Sequence, residues 1–364
     1  MAYNERNYGI DALRIIAMFM VVVLHVLGQG GVLHATKELS ANYAVVWFLE
    51  LSTYCAVNCY AIISGYVGYG RKIKYSNLVY LAFCVVFYII IITSLVKAFV
   101  PYVSAKDVSK SIFHIFSGGS WYGGYWYVRA YFCAFFFFPH INFLVEKYEK
   151  KRLYILLGVM FILFSVIPTF AMEDIFSTMD GYSPLWLLIM YFVGAVMKKY
   201  EIKEEERKSR HLLLYVLMVI LTFTLMIVIS YTTHKISGEI LLGGFLISYV
   251  SPTIIFAAVS LFKYFSKIKL NKATRKIVSA ISPLTFGVYL IHTQYFVWGY
   301  IENRFTYFAD MRPVGMIANT LLTACVIFIL CISIDYVRQC LFKVIKIKEL
   351  SEKIESKVSD MIKK

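Results

Sequence analysis

Residues 10–33 read IDALRIIAMFMVVVLHVLGQGGVL, and within them only Asp11, Arg14 and His25 can ionise. About twenty consecutive apolar residues are needed to cross roughly 30 Å of hydrocarbon, so this stretch is read as a membrane-spanning helix. Working outward, similar runs fall near residues 43–67, 78–100, 125–144, 153–172, 184–197, 212–231, 240–262, 281–301 and 314–337. The expectation is an all-α, polytopic integral membrane protein of about ten transmembrane helices. Composition agrees: apolar residues make up 60% and charged residues 16% of the 364 positions, against about 45–50% and 25% in soluble domains.

The net charge of +15 matters less than where the basic residues fall. With the N-terminus inside, 28 of the 37 Lys and Arg residues lie in cytoplasmic pieces and seven in external ones, with Arg14 and Arg129 inside spans. The loop at 173–183 carries Glu173, Asp174 and Asp180 with no basic residue. This asymmetry places both termini in the cytoplasm. No basic run carries a nucleic-acid recognition motif, so no nucleic acid is expected as a partner. The partner read from composition is the lipid bilayer, and the sequence is silent on oligomeric state. Two segments are expected: a ten-helix membrane domain over 1–340, and a basic amphipathic tail over 341–364 lying on the anionic inner leaflet. The seven cysteines show no CxxC pair and no set of zinc ligands, and no metal is expected.

Ionisable groups at membrane depth need a partner or a wet cavity. Arg14 and His25 are eleven residues apart, nearly three turns, and so share one face about 16 Å apart. Asp11 precedes Arg14 by one turn and can pair with it. On the ninth span Ser282, Thr285, Tyr289 and His292 fall at helical spacing, and His292 is expected at the depth of His25. On the second span Glu50, Tyr54 and Asn58 recur every four residues. A carboxylate at the depth of Glu50 can sit beside His25 and fix its tautomer. Arg129, with Trp126 and Cys133, shares a face of the fourth span. The external loop 117–127, SGGSWYGGYWY, fits either an interfacial aromatic belt or a platform for sugar rings.

These pieces together resemble the membrane acyltransferase 3 family. The resemblance rests on Arg14 to His25 in the opening helix, on NCYAIISGY ending at Tyr66 and followed by Arg71, Lys72 and Lys74, on YWYV at 125–128, and on TFGVYLIH ending at His292. Tyr66 stands where the family usually has Phe, and Val128 with Arg129 departs from its commoner wording. The resemblance covers about residues 5–340. It implies an O-acyltransferase-like enzyme of the bacterial cytoplasmic membrane. That enzyme would move an acyl group, acetyl in the first instance, from cytoplasmic acyl-CoA (acetyl-CoA) to a hydroxyl of an envelope or exopolysaccharide glycan. Arg14, Arg71, Lys72 and Lys74 would meet the nucleotide phosphates. His25 would act as general base or as a covalent acyl carrier, Glu50 would orient it, and His292 or Tyr289 would polarise the thioester carbonyl. Trp121, Tyr122, Trp126, Arg129 and Asn58 would receive the acceptor. The competing readings are a glycan transporter or flippase, which should be indifferent to acyl-CoA, and a non-catalytic module that tolerates loss of His25.

Overall fold

The computed structural model describes residues 6–117, 124–200, 207–241 and 243–362. All the regular secondary structure among them is helical. The helices used below are α1 (Tyr8–Leu27), α2 (Ala41–Thr53), α3 (Ala56–Gly68), α4 (Tyr75–Phe99), α5 (Trp126–Phe135), α6 (Phe138–Lys147), α7 (Lys150–Ala171), α8 (Pro184–Tyr200), α9 (Lys208–Ser237), α10 (Pro252–Ser266), α11 (Lys272–Ile281), α12 (Thr285–His292), α13 (Tyr295–Ile301), α14 (Pro313–Val344) and α15 (Ile347–Ile362).

Among the described residues six helices are long and apolar enough to cross a bilayer: α1, α2 with α3, α4, α7, α9 and α14. The pair α5 and α6, bent by 53°, makes a seventh if taken as one span. The other three expected spans take different forms. Helices α8 and α10 are apolar but have only 17 and 15 residues. The expected eighth span began at residue 240, yet helix begins only at Pro252, after a turn-rich stretch containing Gly243 and Gly244. The ninth is divided into a 3₁₀ turn at Ser282–Leu284, then α12, then α13 beyond a break at Thr293 and Gln294. Proline at the first helical position at 252, and at the second position of the 3₁₀ turn at 283, fits these starts. Counting twenty-residue apolar windows cannot see such breaks, because burial against neighbouring helices lets a broken segment stay apolar.

Helix α1 is the central pillar and packs against α3, α10, α12 and α14. Asn7 caps it, its side chain accepting from the N–H of Gly9 at 2.9 Å. The same amide donates to the carbonyl of Ser266 at 2.8 Å. The start of α1 therefore meets the end of α10, and the two helices run antiparallel. The tightest crossing is between α3 and α8. A Cβ at Gly65 would collide with the carbonyl of Tyr191, and one at Gly194 with the carbonyl of Ile62. Small residues at both points let the backbones touch, which is how helices gain packing energy where no hydrophobic drive exists between them.

The tail does more than lie beside the bundle. The carboxylate of Glu355 on α15 accepts from the N–H groups of Tyr75 and Ser76, at 2.9 and 3.1 Å, and so caps α4 from another helix. Partial burial pushes this carboxyl up. The Ser76 hydroxyl, the two N–H groups and the charge of Lys74 nevertheless hold it below its ordinary value.

Two outcomes follow. Gly194→Ala should destabilise the protein by about 1–3 kcal/mol through overpacking, read as a lower thermal midpoint in detergent; an unchanged midpoint would remove the crossing as a stabilising contact. For the tail, a depressed carboxyl stabilises docking above its unfolded-state pKa and loses that contribution as pH falls through the folded-state value. Hydrogen exchange in 347–362, corrected for its intrinsic pH dependence, should accordingly rise only as pH falls below the ordinary glutamate value, and Glu355→Gln should reproduce part of the rise at neutral pH. Equal protection in the variant would show that the cap does not hold the tail.

Candidate active site

Arg14, Met18, Val21 and His25 follow one another on α1 at steps of four, three and four, a single stripe along the helix. Each end of the stripe opens on a different cavity. At the Arg14 end lies a space of about 370 Å³ lined by Arg6, Arg14, Arg71 and Lys198, with Asp11 the one carboxylate in its wall among the described residues. Asp11 pairs with Arg14 at 3.1 Å and with Arg6 at 2.6 Å. A nitrogen of Arg14 also reaches the Ser282 hydroxyl at 3.3 Å. The expected pairing of Asp11 with Arg14 is therefore present, and it aims the guanidinium rather than neutralising the cavity, since among the described residues four cations face one anion. Tyr66 contributes its ring face, over which the Lys198 ammonium sits at 4.7 Å.

Arg71 belongs to this cavity; Lys72 and Lys74 are exposed and do not line it. The two cations that sequence reasoning counted only toward orientation, Arg6 and Lys198, take their places. No spacing rule links Lys198 to Arg14, because the close crossing of α3 and α8 brings them together.

At the other end of the stripe, Met18, Val21 and His25 line a narrow cavity of about 40 Å³ with Trp126, Tyr249 and Phe286. His25 Nδ1 lies 2.7 Å from His292 Nε2, and His292 Nδ1 is bonded to the carbonyl of Val288. The protons can be assigned from this chain for the neutral pair. A carbonyl only accepts, so His292 carries its proton on Nδ1 and accepts at Nε2. His25 must then donate from Nδ1, which leaves a lone pair on His25 Nε2. That nitrogen makes no hydrogen bond among the described residues. Trp298 meets the His25 ring edge-on at 4.7 Å between centroids.

The partner expected at His25, Glu50, is elsewhere. His292 fills the position at Nδ1, while Glu50 is 7% exposed with one oxygen unpartnered among the described residues, within electrostatic reach of Tyr54 and Tyr249. Counting residues along a helix gave Glu50 the depth expected of His25, but depth alone does not fix which neighbour a side chain meets. The proposed electrophilic roles of Tyr289 and His292 also lack a free donor. The Tyr289 hydroxyl donates to the carbonyl of Gly124 at 3.0 Å and accepts from the N–H of Tyr127 at 3.2 Å. Both ring nitrogens of His292 are occupied in the relay.

Asn58 is fully buried and spent on structure. It donates to the carbonyl of Tyr249 at 2.8 Å and accepts from Trp186 Nε1 at 2.9 Å. Trp126 forms part of the His25 cavity and packs on Tyr182 at 4.5 Å between centroids. Arg129 lines none of the three principal cavities; its charge reaches His114 and Tyr289. Trp121 and Tyr122 lie outside the described residues.

A family model described as "Acyltransferase domain", of the acyltransferase 3 type, matches residues 7–336. No curated protein and no solved structure matches the chain.

The proton assignment is open to direct measurement. In spectra of ¹⁵N-histidine-labelled protein, both His25 and His292 should show a protonated Nδ1 and an unprotonated Nε2, and His292→Ala should change the His25 pattern. A protonated Nε2 on His25 would overturn the relay.

Proposed function

The chain belongs to the acyltransferase 3 family, and from that premise we propose that it transfers an acyl group, acetyl in the first instance, from cytoplasmic acyl-CoA to a hydroxyl of a cell-envelope glycan. The reading extends to the bacterial cytoplasmic membrane as its location. The observation that carries it is the stripe on α1. A cationic cavity and an unprotonated imidazole nitrogen stand on one helix face about 16 Å apart, a separation that suits a donor with a phosphorylated head and a thioester at the end of a long arm.

In this reading Arg6, Arg14, Arg71 and Lys198 hold the nucleotide phosphates, arginine through its fork of donors. The pantetheine arm runs past Met18 and Val21, which offer it an apolar wall, and brings the thioester carbonyl to His25. Nε2 takes the proton of the acceptor hydroxyl as the oxygen attacks the carbonyl carbon. The tetrahedral intermediate then collapses, the carbon–sulfur bond breaks, and the departing thiolate takes the proton back from Nε2. While His25 holds two protons, its Nδ1–H strengthens toward His292 Nε2, so His292 acts as the positioning and charge-stabilising partner that Glu50 was expected to be. A two-step route uses the same atom: Nε2 attacks the thioester and CoA leaves as its thiolate; the acceptor oxygen then bonds to the acyl carbon as the Nε2–carbon bond breaks, and its proton passes by way of the freed Nε2 to the thiolate.

In membranes given radiolabelled acetyl-CoA, His25→Ala should cut label transfer to envelope material by about 10²–10⁴-fold with insertion unchanged. Transfer at the native rate would sink the assignment. Arg14→Ala should raise the KM for acetyl-CoA by roughly 10–100-fold, the effect of losing one charge-assisted contact. A KM that does not move would exclude Arg14 from donor binding.

A further inference from the structure

A second cavity of about 370 Å³ opens at the His25 end of the bundle, between the loop after α7 and the stretch before α10. Its wall carries Glu173, Asp174 and Asp180, and among the described residues no Lys, Arg or His lines it. Two hydroxyls in the same wall lack any hydrogen-bond partner among the described residues: Thr169 Oγ1 and Ser251 Oγ, on residues 6% and 0% exposed. A buried hydroxyl left unpaired costs about 1–3 kcal/mol, so two in one cavity wall are groups that a bound ligand would satisfy. Ser251 is the sharper case. It holds the N-cap position of α10 with extended backbone, yet its side chain caps nothing, although serine there ordinarily accepts an N–H from the first turn.

The rest of the wall separates fixed from open groups. Asp174 is already occupied, one oxygen accepting from the N–H and hydroxyl of Thr178 and the other from the N–H of Met179, all at 2.7 Å. It shapes the loop. Among the described residues the Asp180 carboxylate has only the Ser248 hydroxyl, at 3.5 Å, which it shares with its own backbone carbonyl at 3.1 Å. Phe245, braced edge-on by Phe170, adds an aromatic face. The cavity also adjoins the candidate active site. Ile247, Ser248, Val250 and Ser251 line it, while Tyr249 in their midst lines the His25 cavity.

We infer that this cavity is the acceptor site, built for a neutral or amine-bearing sugar and closed to acidic glycans. The inference rests on the acyl-transfer reading above and names its acceptor class. Thr169, Ser251 and Asp180 engage sugar hydroxyls, and Phe245 stacks on a ring face. The carboxylates repel uronate and phosphate groups, which find no countercharge here. The two 370 Å³ cavities thus have opposite polarity, cations where an anionic donor enters and carboxylates where the acceptor enters.

The test uses the full chain in lipid nanodiscs and three saccharide probes of equal length: chitotetraose, its de-N-acetylated tetramer, and tetragalacturonate. Binding is read by thermophoresis, and acetyl-CoA binding is measured on the same samples. The neutral and amino tetramers should bind and tetragalacturonate should not. Ser251→Ala and Thr169→Val, which break no existing hydrogen bond, should each weaken the neutral tetramer about tenfold while acetyl-CoA binding stays at the native level. Asp180→Asn should weaken the amino tetramer more than the neutral one. Tetragalacturonate binding as tightly as the others, none of the probes binding, or both hydroxyl variants binding like the native chain would each overturn the assignment. Saccharide binding that survives without any His25-dependent transfer would instead remove the acyl-transfer reading and leave a glycan site standing.

Discussion

The hydrogen bond between His25 and His292 is the contact on which the rest of this arrangement depends. It requires two helices to meet at one height with ring nitrogens 2.7 Å apart, and much of the surrounding structure serves to keep α12 there. Gly287 leaves no room for a Cβ against the Asp335 carboxylate, so α12 rests directly on α14. Asp335 is in turn held by Arg338 at 2.7–2.9 Å and by the Tyr88 hydroxyl at 2.7 Å, and Arg338 also reaches Tyr80. This ion pair lies almost wholly buried. A charge in apolar surroundings is tolerated only when its hydrogen bonds are met, and here they are met from two helices at once, which fixes α4 and α14 beneath the histidines.

Much of this was legible in the sequence because helical periodicity is a local property. The stripe from Arg14 to His25, the pairing of Asp11 and the matching depth of His25 and His292 all follow from counting residues along a helix. What escaped was what depends on how helices rotate against one another. Glu50 was expected beside His25 from depth alone, and His292 stands there instead. Tyr289 and Asn58 look like site residues because polar groups in apolar helices are conspicuous, yet both are consumed in tying backbone together. Lys198 joins Arg14 only through a helix crossing that sequence spacing does not encode. Breaks inside apolar runs were equally hidden, since a stretch such as 240–251 is as apolar in a turn as in a helix.

The stretch before α10 shows why such a break is useful. Its backbone is pinned from several directions: the carbonyl of Tyr249 by Asn58, that of Val250 by Ser165, and the N–H of Tyr249 by the carbonyl of Asp180. Ser165 is placed for this by a π-helical turn in α7, a device often found where a helix must re-aim a side chain. A continuous helix could not have turned Tyr249 toward His25 while its neighbours lined the outer cavity.

The glycine contacts between α3 and α8 have a mechanical consequence. Two antiparallel rods touching backbone to backbone at two points, Gly65 on Tyr191 and Gly194 on Ile62, can neither slide nor roll past each other without a clash. They form a stator. The breaks in the helical framework lie elsewhere, in the turn before α10 and between α12 and α13, and the histidine relay sits beside the second of them.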